Sequence, residues 1–125
     1  MSELKVALRK QPAEYEPGEL IAGGAQWQLE RAPKSVEARL LWHTSGTGYV
    51  DVGVAATVSF EGSLQDDTRS FEFTAPEAPY SFTGKLITLA WAVELVALPG
   101  KESERVDLVI APAGKPLTMA PVEED

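Results

Sequence analysis

Cysteine is absent from this 125-residue chain. With it go any disulfide framework, thiol catalysis and Cys-based zinc site, while the redox compartment stays open. Asparagine is absent too, so there is no N-glycosylation sequon. Histidine occurs once, as His43, and one imidazole cannot build the multi-ligand sites that zinc or copper need. Basic residues are scarce, at 11 against 19 acidic, for a net charge of −8. Such a surface repels phosphate backbones and anionic lipid surfaces, so no nucleic-acid partner is expected. No run reaches the roughly 20 apolar residues of a membrane-spanning helix. The opening "MSELKVALRK" is broken by Glu3, Lys5, Arg9 and Lys10, which leaves no apolar core for a signal peptide. Neither end carries a lipidation motif. These absences imply a protein without membrane insertion, expected in the cytoplasm.

Apolar side chains are abundant, at 44% of residues. A single domain of this length buries roughly two-thirds of its unfolded surface, enough for a core without metal or disulfide support. The apolar residues recur with period 2. "LKVALR" sets Leu4, Val6 and Leu8 against Lys5, Ala7 and Arg9. "AQWQLE" sets Ala25, Trp27 and Leu29 against glutamines and a glutamate. "VEARLLWHT" puts Val36, Ala38, Leu40 and Trp42 on one face, with Glu37, Arg39, Leu41 and His43 on the other. Phe71 and Phe73 flank Glu72, and Val106, Leu108 and Ile110 alternate with Arg105, Asp107 and Val109. In "YVDVGVAATVSF", Val50, Val52, Val54, Val58 and Phe60 fall in one phase, with Gly53 as a bulge or close-approach point. Turn residues separate these runs: Pro17-Gly18, Gly46 and Gly48, the longer "EGSLQDD", and Pro99-Gly100. About seven strands and no amphipathic helix predict an all-β sandwich of immunoglobulin-like type over residues 1–111. Residues 112–125, with Pro112, Pro116, Pro121 and three terminal acids, read as an extended tail. Leu117 and Met119 are placed to pack a sheet edge before the chain frays.

The most apolar stretch, Leu86 to Leu98, carries one charge, Glu94. Ile87, Leu89, Trp91, Val93, Leu95 and Ala97 lie in one phase, and smaller or polar residues fill the other. That is a strand with a core face and a half-polar back. Thirteen residues at ~3.3 Å each exceed the width of so small a domain. A bend, or a bulge near Ala92 to Glu94, is therefore predicted. Leu41, Leu86 and Val96 fall on outward phases and leave homo-oligomer formation open.

Candidate sites read as structure rather than chemistry. His43 sits on the polar phase beside Arg39 and Glu37, a solvated strand position. Asp66 and Asp67 with Glu61 could seed a calcium loop, but the spacing matches no EF-hand, and such residues commonly form turns. "TSGTG" has no following Gly-Lys-Ser/Thr, so a hairpin fits better than a phosphate loop. Ser45, Ser63 and Ser81 have only His43 as a conceivable base, and there is no nucleophile elbow. Carbohydrate-binding sandwiches stack sugars on exposed aromatics. Here Trp27, Trp42 and Trp91 share faces with bulky apolar neighbours and are assigned to the core. Tyr15, Tyr49 and Tyr80 stand at turn boundaries, where their hydroxyls are expected to tie down corners. No catalytic, cofactor-binding or metal-binding residue is assigned, and no cofactor.

Two segments together resemble the arrestin-like clan. "YEPGELIAGGAQWQLE" is similar to the clan's pattern of a tyrosine, then a glycine and an acidic residue, then hydrophobic residues and a glycine. "FEFTAPEAPYSFTGKLITLAWAVELVA" is similar to a strand ending in proline, a second proline, Ser-Phe, a glycine, and a long apolar strand with a central aromatic. They span about a third of the chain. The resemblance implies one arrestin-type sandwich, where classical arrestins and retromer-type relatives carry two and this chain is long enough for only one, and it implies protein–protein contact. No counterpart of the relatives' phosphate-sensing charge cluster is present, so no functional residue carries over. Bacterial clan members linked to sporulation control suggest a bacterial cytoplasmic protein. The function expected is a non-enzymatic scaffold or adaptor with a protein partner. A small-ligand or carbohydrate-binding module is the alternative.

Overall fold

The computed structural model describes residues 2–46, 51–83, 87–99, 102–112 and 117–118. Ten strands follow in chain order: β1 (Glu3–Leu8), β2 (Glu14–Tyr15), β3 (Leu20–Gln28), β4 (Ser35–Gly46), β5 (Asp51–Ser59), β6 (Asp66–Thr74), β7 (Phe82–Thr83), β8 (Ile87–Leu98), β9 (Glu102–Ile110) and β10 (Leu117–Thr118). Seven have six or more residues, and three are two-residue bridges. One sheet has the order β1-β3-β6. The other runs β10-β7-β8-β4-β5, with β9 also pairing β8 and β2 pairing β9. The expected all-β sandwich is the architecture found.

The core lies between the sheets because each long strand turns one phase inward. Ile21, Ala25, Trp27, Phe71 and Phe73 from the smaller sheet meet Val36, Ala38, Leu40, Trp91, Val93, Leu95, Leu108 and Ile110 from the larger one. Trp91 and Trp27 are buried, and each indole N–H finds a carbonyl. Trp91 Nε1 donates to Pro79 O at 2.9 Å, and Trp27 Nε1 donates to Leu64 O at 2.8 Å. An unpaired N–H there would cost about 1–3 kcal/mol. Gly23 is required by close approach, since a Cβ there would lie 2.4 Å from the Ala7 carbonyl oxygen and 2.6 Å from Phe71 Cζ.

The two clan-like segments have local physical reasons. Glu16 to Glu19 forms a tight turn, with Pro17 second and Gly18 third at φ 85°, the left-handed conformation a type II turn demands. Glu19 N–H donates to Glu16 O at 3.0 Å, and Glu16 N–H donates back to Glu19 Oε1 at 2.9 Å. Lys10 Nζ donates to Glu19 Oε2 at 2.7 Å and lies 5.0 Å from the Tyr15 ring centroid. In the second segment, Ser81 is buried and clasps the end of β9. Its N–H donates to Ile110 O, and its Oγ accepts from Ile110 N–H.

Five expectations need correction. First, β8 is one continuous strand, in unbroken register with β4 from Gly46↔Ile87 to Ser35↔Leu98. The predicted interruption near Ala92 to Glu94 is not there. The strand instead changes its other neighbour, from β7 at Thr88–Leu89 to β9 from Trp91 onward. Second, the bulge sits in β5, where Leu40 pairs Ala56 but Leu41 pairs Val54, leaving Ala55 extra. An extra residue reverses the phase, so Val52 and Val54 face outward at 57% and 54% exposure while Val58 and Phe60 face in. Third, Leu41 and Val96 lie on the outer face as expected but are only 5% and 6% exposed. They offer little surface for self-contact, and Leu86 lies outside the described residues. Fourth, the Tyr15 hydroxyl ties down no corner among the described residues: it is buried with no hydrogen-bond partner among them, and burial raises its pKa. Tyr49 lies outside the described residues. Fifth, Trp42 has the predicted phase but is half-buried, packing against the core from its margin. In the tail, Leu117–Thr118 pairs parallel with Phe82–Thr83, and Met119 lies outside the described residues.

Candidate functional site

The feature best suited to recognition is the outer edge of β5, the last strand of the larger sheet, which no other described strand pairs. An edge strand presents unpaired N–H and C=O groups to any chain that can align with them, and proteins usually blunt such edges with charge or proline. β9 carries Glu102, Glu104, Arg105 and Asp107. The outer strands of the smaller sheet are charged too, with Glu3 and Lys5 on β1 and Asp66, Asp67, Arg69 and Glu72 on β6. From Val52 to Ser59, β5 has neither charge nor proline.

Hydrogen bonds fix which backbone groups face out. Asp51 N–H donates inward to Thr44 Oγ1 on β4 at 3.0 Å, and Phe60 N–H donates inward to Val36 O at 2.9 Å. Strand alternation then points the N–H and C=O of Val52 and Val54 away from β4. The Val52 N–H donates to the Asp51 carboxylate at 3.0 Å, its one acceptor among the described residues. Both valine side chains stand on the outer face of the sheet, in register with His43 and Leu41. On the inner face Gly53 pairs with Trp42. A Cβ at Gly53 would lie 2.4 Å from Trp42 Cε2 and Cζ2, so the indole rests directly on this glycine.

The sequence-based candidates are not gathered into a site. His43 is half-buried between Val52 and Ala90 in the register. Ser81 serves the β9 clasp, and Ser63 Oγ donates to the Phe60 carbonyl. Asp67 is a turn former. Its Oδ1 accepts from Thr68 N–H, and its Oδ2 accepts from Leu64 N–H and Arg69 Nε. Arg69's hydrogen bond, helped by the two backbone N–H groups, holds the Asp67 carboxyl below the usual carboxylate range. Among the described residues no group of three or more ligating side chains could hold a metal. A shallow cleft of about 300 Å³ between the β3–β4 connection and the start of β9 is lined by Leu29, Arg31, Pro33, Leu98 and Glu102 among others, with no aromatic ring.

Sequence reading missed the β5 edge. The available signal was the uncharged span from Val52 to Phe60. Its meaning depended on knowing that β5 is an edge and that Ala55 bulges.

No family model matches the chain, and no curated protein matches it in sequence. Among solved structures it is similar to Spo0M, a sporulation control protein from Bacillus subtilis, with a TM-score of 0.61 and 16% identity. The match covers 88% of this chain and 49% of that one, so the chain spans about half the length of Spo0M. This likeness supports the arrestin-type sandwich and bears on the fold alone. A β-glucosidase from Listeria innocua aligns with a TM-score of 0.47 and 11% identity, over 88% of this chain and 16% of that one.

Proposed function

We propose that this domain is a non-enzymatic interaction module, a scaffold or adaptor, that docks an extended protein segment along the edge of β5. The observation carrying this reading is the free, uncharged span from Val52 to Ser59. In strand addition the outward backbone groups supply hydrogen bonds, and alternate side chains supply specificity. Val52 and Val54 offer both. The acidic surface favours protein over nucleic-acid partners. The sandwich shared with a sporulation control protein from Bacillus subtilis gives the fold in which this edge is presented. Fold alone does not assign function, so the weight rests on the edge. Among the described residues no acid, base and nucleophile are brought together. Trp27 and Trp91 are withdrawn from sugar stacking, because both are buried with their indole N–H groups bonded to backbone carbonyls.

The test replaces Val52 and Val54 with lysine, the residue that natural edges use as a guard. Both positions are more than half exposed, so stability should change by no more than about 0.5 kcal/mol at each. Wild type used as bait in its source lysate should retain a specific protein that the double variant loses. Equal recovery by both baits, with wild-type stability retained, refutes edge docking.

A further inference from the structure

Given β5 as the docking edge, we propose that it pairs with a second copy of this chain, antiparallel, about a two-fold axis at Gly53. The central sequence Val52-Gly53-Val54 is a palindrome. A two-fold axis through Gly53 sets Val52 of one copy opposite Val54 of the other, twice. The backbone groups of these valines point outward, so each opposed couple forms a hydrogen-bonded antiparallel pair, and Gly53 meets Gly53 as the intervening non-hydrogen-bonded pair. The four valines form one apolar cluster on the outer face, covering side chains that are 57% and 54% exposed in the single chain.

The inner face is self-complementary as well. The row Trp42, Gly53, Gly53, Trp42 crosses the axis, and each indole already rests on its own glycine. No side chain at either glycine separates the rings. The half-buried Trp42 thereby gains a neighbour that the single chain lacks.

Charge selects this edge for self-contact. With a net charge of −8, two copies repel over most of their surface. β6 carries three acids to one base, and so does β9, whereas the paired span of β5 has no charge. In this register Asp51 of one copy faces Ala55 of the other, not a second carboxylate. Docking displaces the Asp51 carboxylate from the Val52 N–H, a bond made by an exposed side chain. The Ala55 bulge ends the regular pairing, so the interface is short, below the usual ~1,600 Å² of stable complexes, and the dimer is concentration-dependent.

Sedimentation equilibrium of the full chain from about 10 μM to about 1 mM should show mass rising from one chain toward two, more so in high salt, which screens the mutual repulsion. The variant V52K/V54K should weaken association at least tenfold, and Thr68→Lys on the β6 edge should leave it unchanged. Register is read by cross-linking in this Cys-free chain. V52C/V54C should oxidise to a covalent dimer, since opposed Cα atoms lie about 5.5 Å apart, within disulfide reach. T57C/S59C should not. A wild type that stays monomeric to about 1 mM overturns the proposal, as does a dimer indifferent to V52K/V54K or the reverse cross-linking pattern. A monomer whose captured protein is still lost in V52K/V54K overturns self-pairing alone and leaves edge docking intact. A chain that stays monomeric and whose capture is unaffected by V52K/V54K ends both.

Discussion

Replacing Trp91 with alanine should be among the costliest single changes in this domain. The ring is fully buried at the centre of the larger sheet, between Trp42 on β4 and Leu108 on β9. Losing it removes its transfer free energy and leaves a cavity, together about 3–5 kcal/mol. The Pro79 carbonyl also loses its donor, which adds about 1–3 kcal/mol wherever water cannot replace it. Total stability for a domain of this kind is about 5–15 kcal/mol, so the variant keeps only part of it. With a urea dependence of about 1–3 kcal/mol per molar, the unfolding midpoint should fall by more than about 1 M. Trp42→Ala is the control on the same cross-strand row. Trp42 is half-buried, and no hydrogen bond engages its indole among the described contacts, so area loss predicts about 1–2 kcal/mol. Equal costs for the two variants, or a Trp91→Ala midpoint within about 0.3 M of wild type, would refute the assignment of Trp91 to the centre of the core.

Gly23→Ala should destabilise by at least about 1–3 kcal/mol in urea melts, because the new methyl meets the Ala7 backbone carbonyl, which cannot swing away. Gly53→Ala meets first the half-buried Trp42 ring, a side chain that can shift, and should cost less, with a red shift in tryptophan emission. The Glu19 carboxyl is held low chiefly by the hydrogen bond from Lys10, and then by the Glu16 N–H. A carboxyl lowered in the folded state stabilises above its unfolded pKa and loses that contribution as pH falls through the folded value. Melting temperatures between about pH 6 and pH 3 should therefore fall less steeply for Glu19→Gln than for wild type. Thermal melts in calcium and in chelator should coincide, because both Asp67 oxygens are already engaged; a clear rise with calcium would show a site there.

Strands with one buried face were legible in the sequence, because period 2 records which face is buried. Leu8, Trp27, Leu40, Phe71, Trp91 and Leu108 all lie on the side their phase predicted. β5 was not legible. One extra residue at Ala55 shifts the phase, and the alanine pair Ala55-Ala56 carries no signal of the slip. The bulge offered for β8 is absent because this strand keeps one partner along its whole length and divides its other edge between two. Leu41 and Val96 show a further limit. Phase gives the face of a sheet but not the cover a face receives. The Tyr15 corner was read correctly in position but not in bonding, since the turn beside it is closed by Glu19 and not by the phenol. That β5 is an edge depends on sheet order, a three-dimensional property with no local sequence mark.

Amide hydrogen exchange compares the free domain with its bound form, whether the second body is another copy or a captured protein. The account predicts slowed exchange at the Val52 and Val54 amides, which point away from β4 and lack a backbone partner there, with the amides along β6 unchanged. Protection confined to β1, β6 or β9, with Val52 and Val54 exchanging as in the free domain, would contradict it.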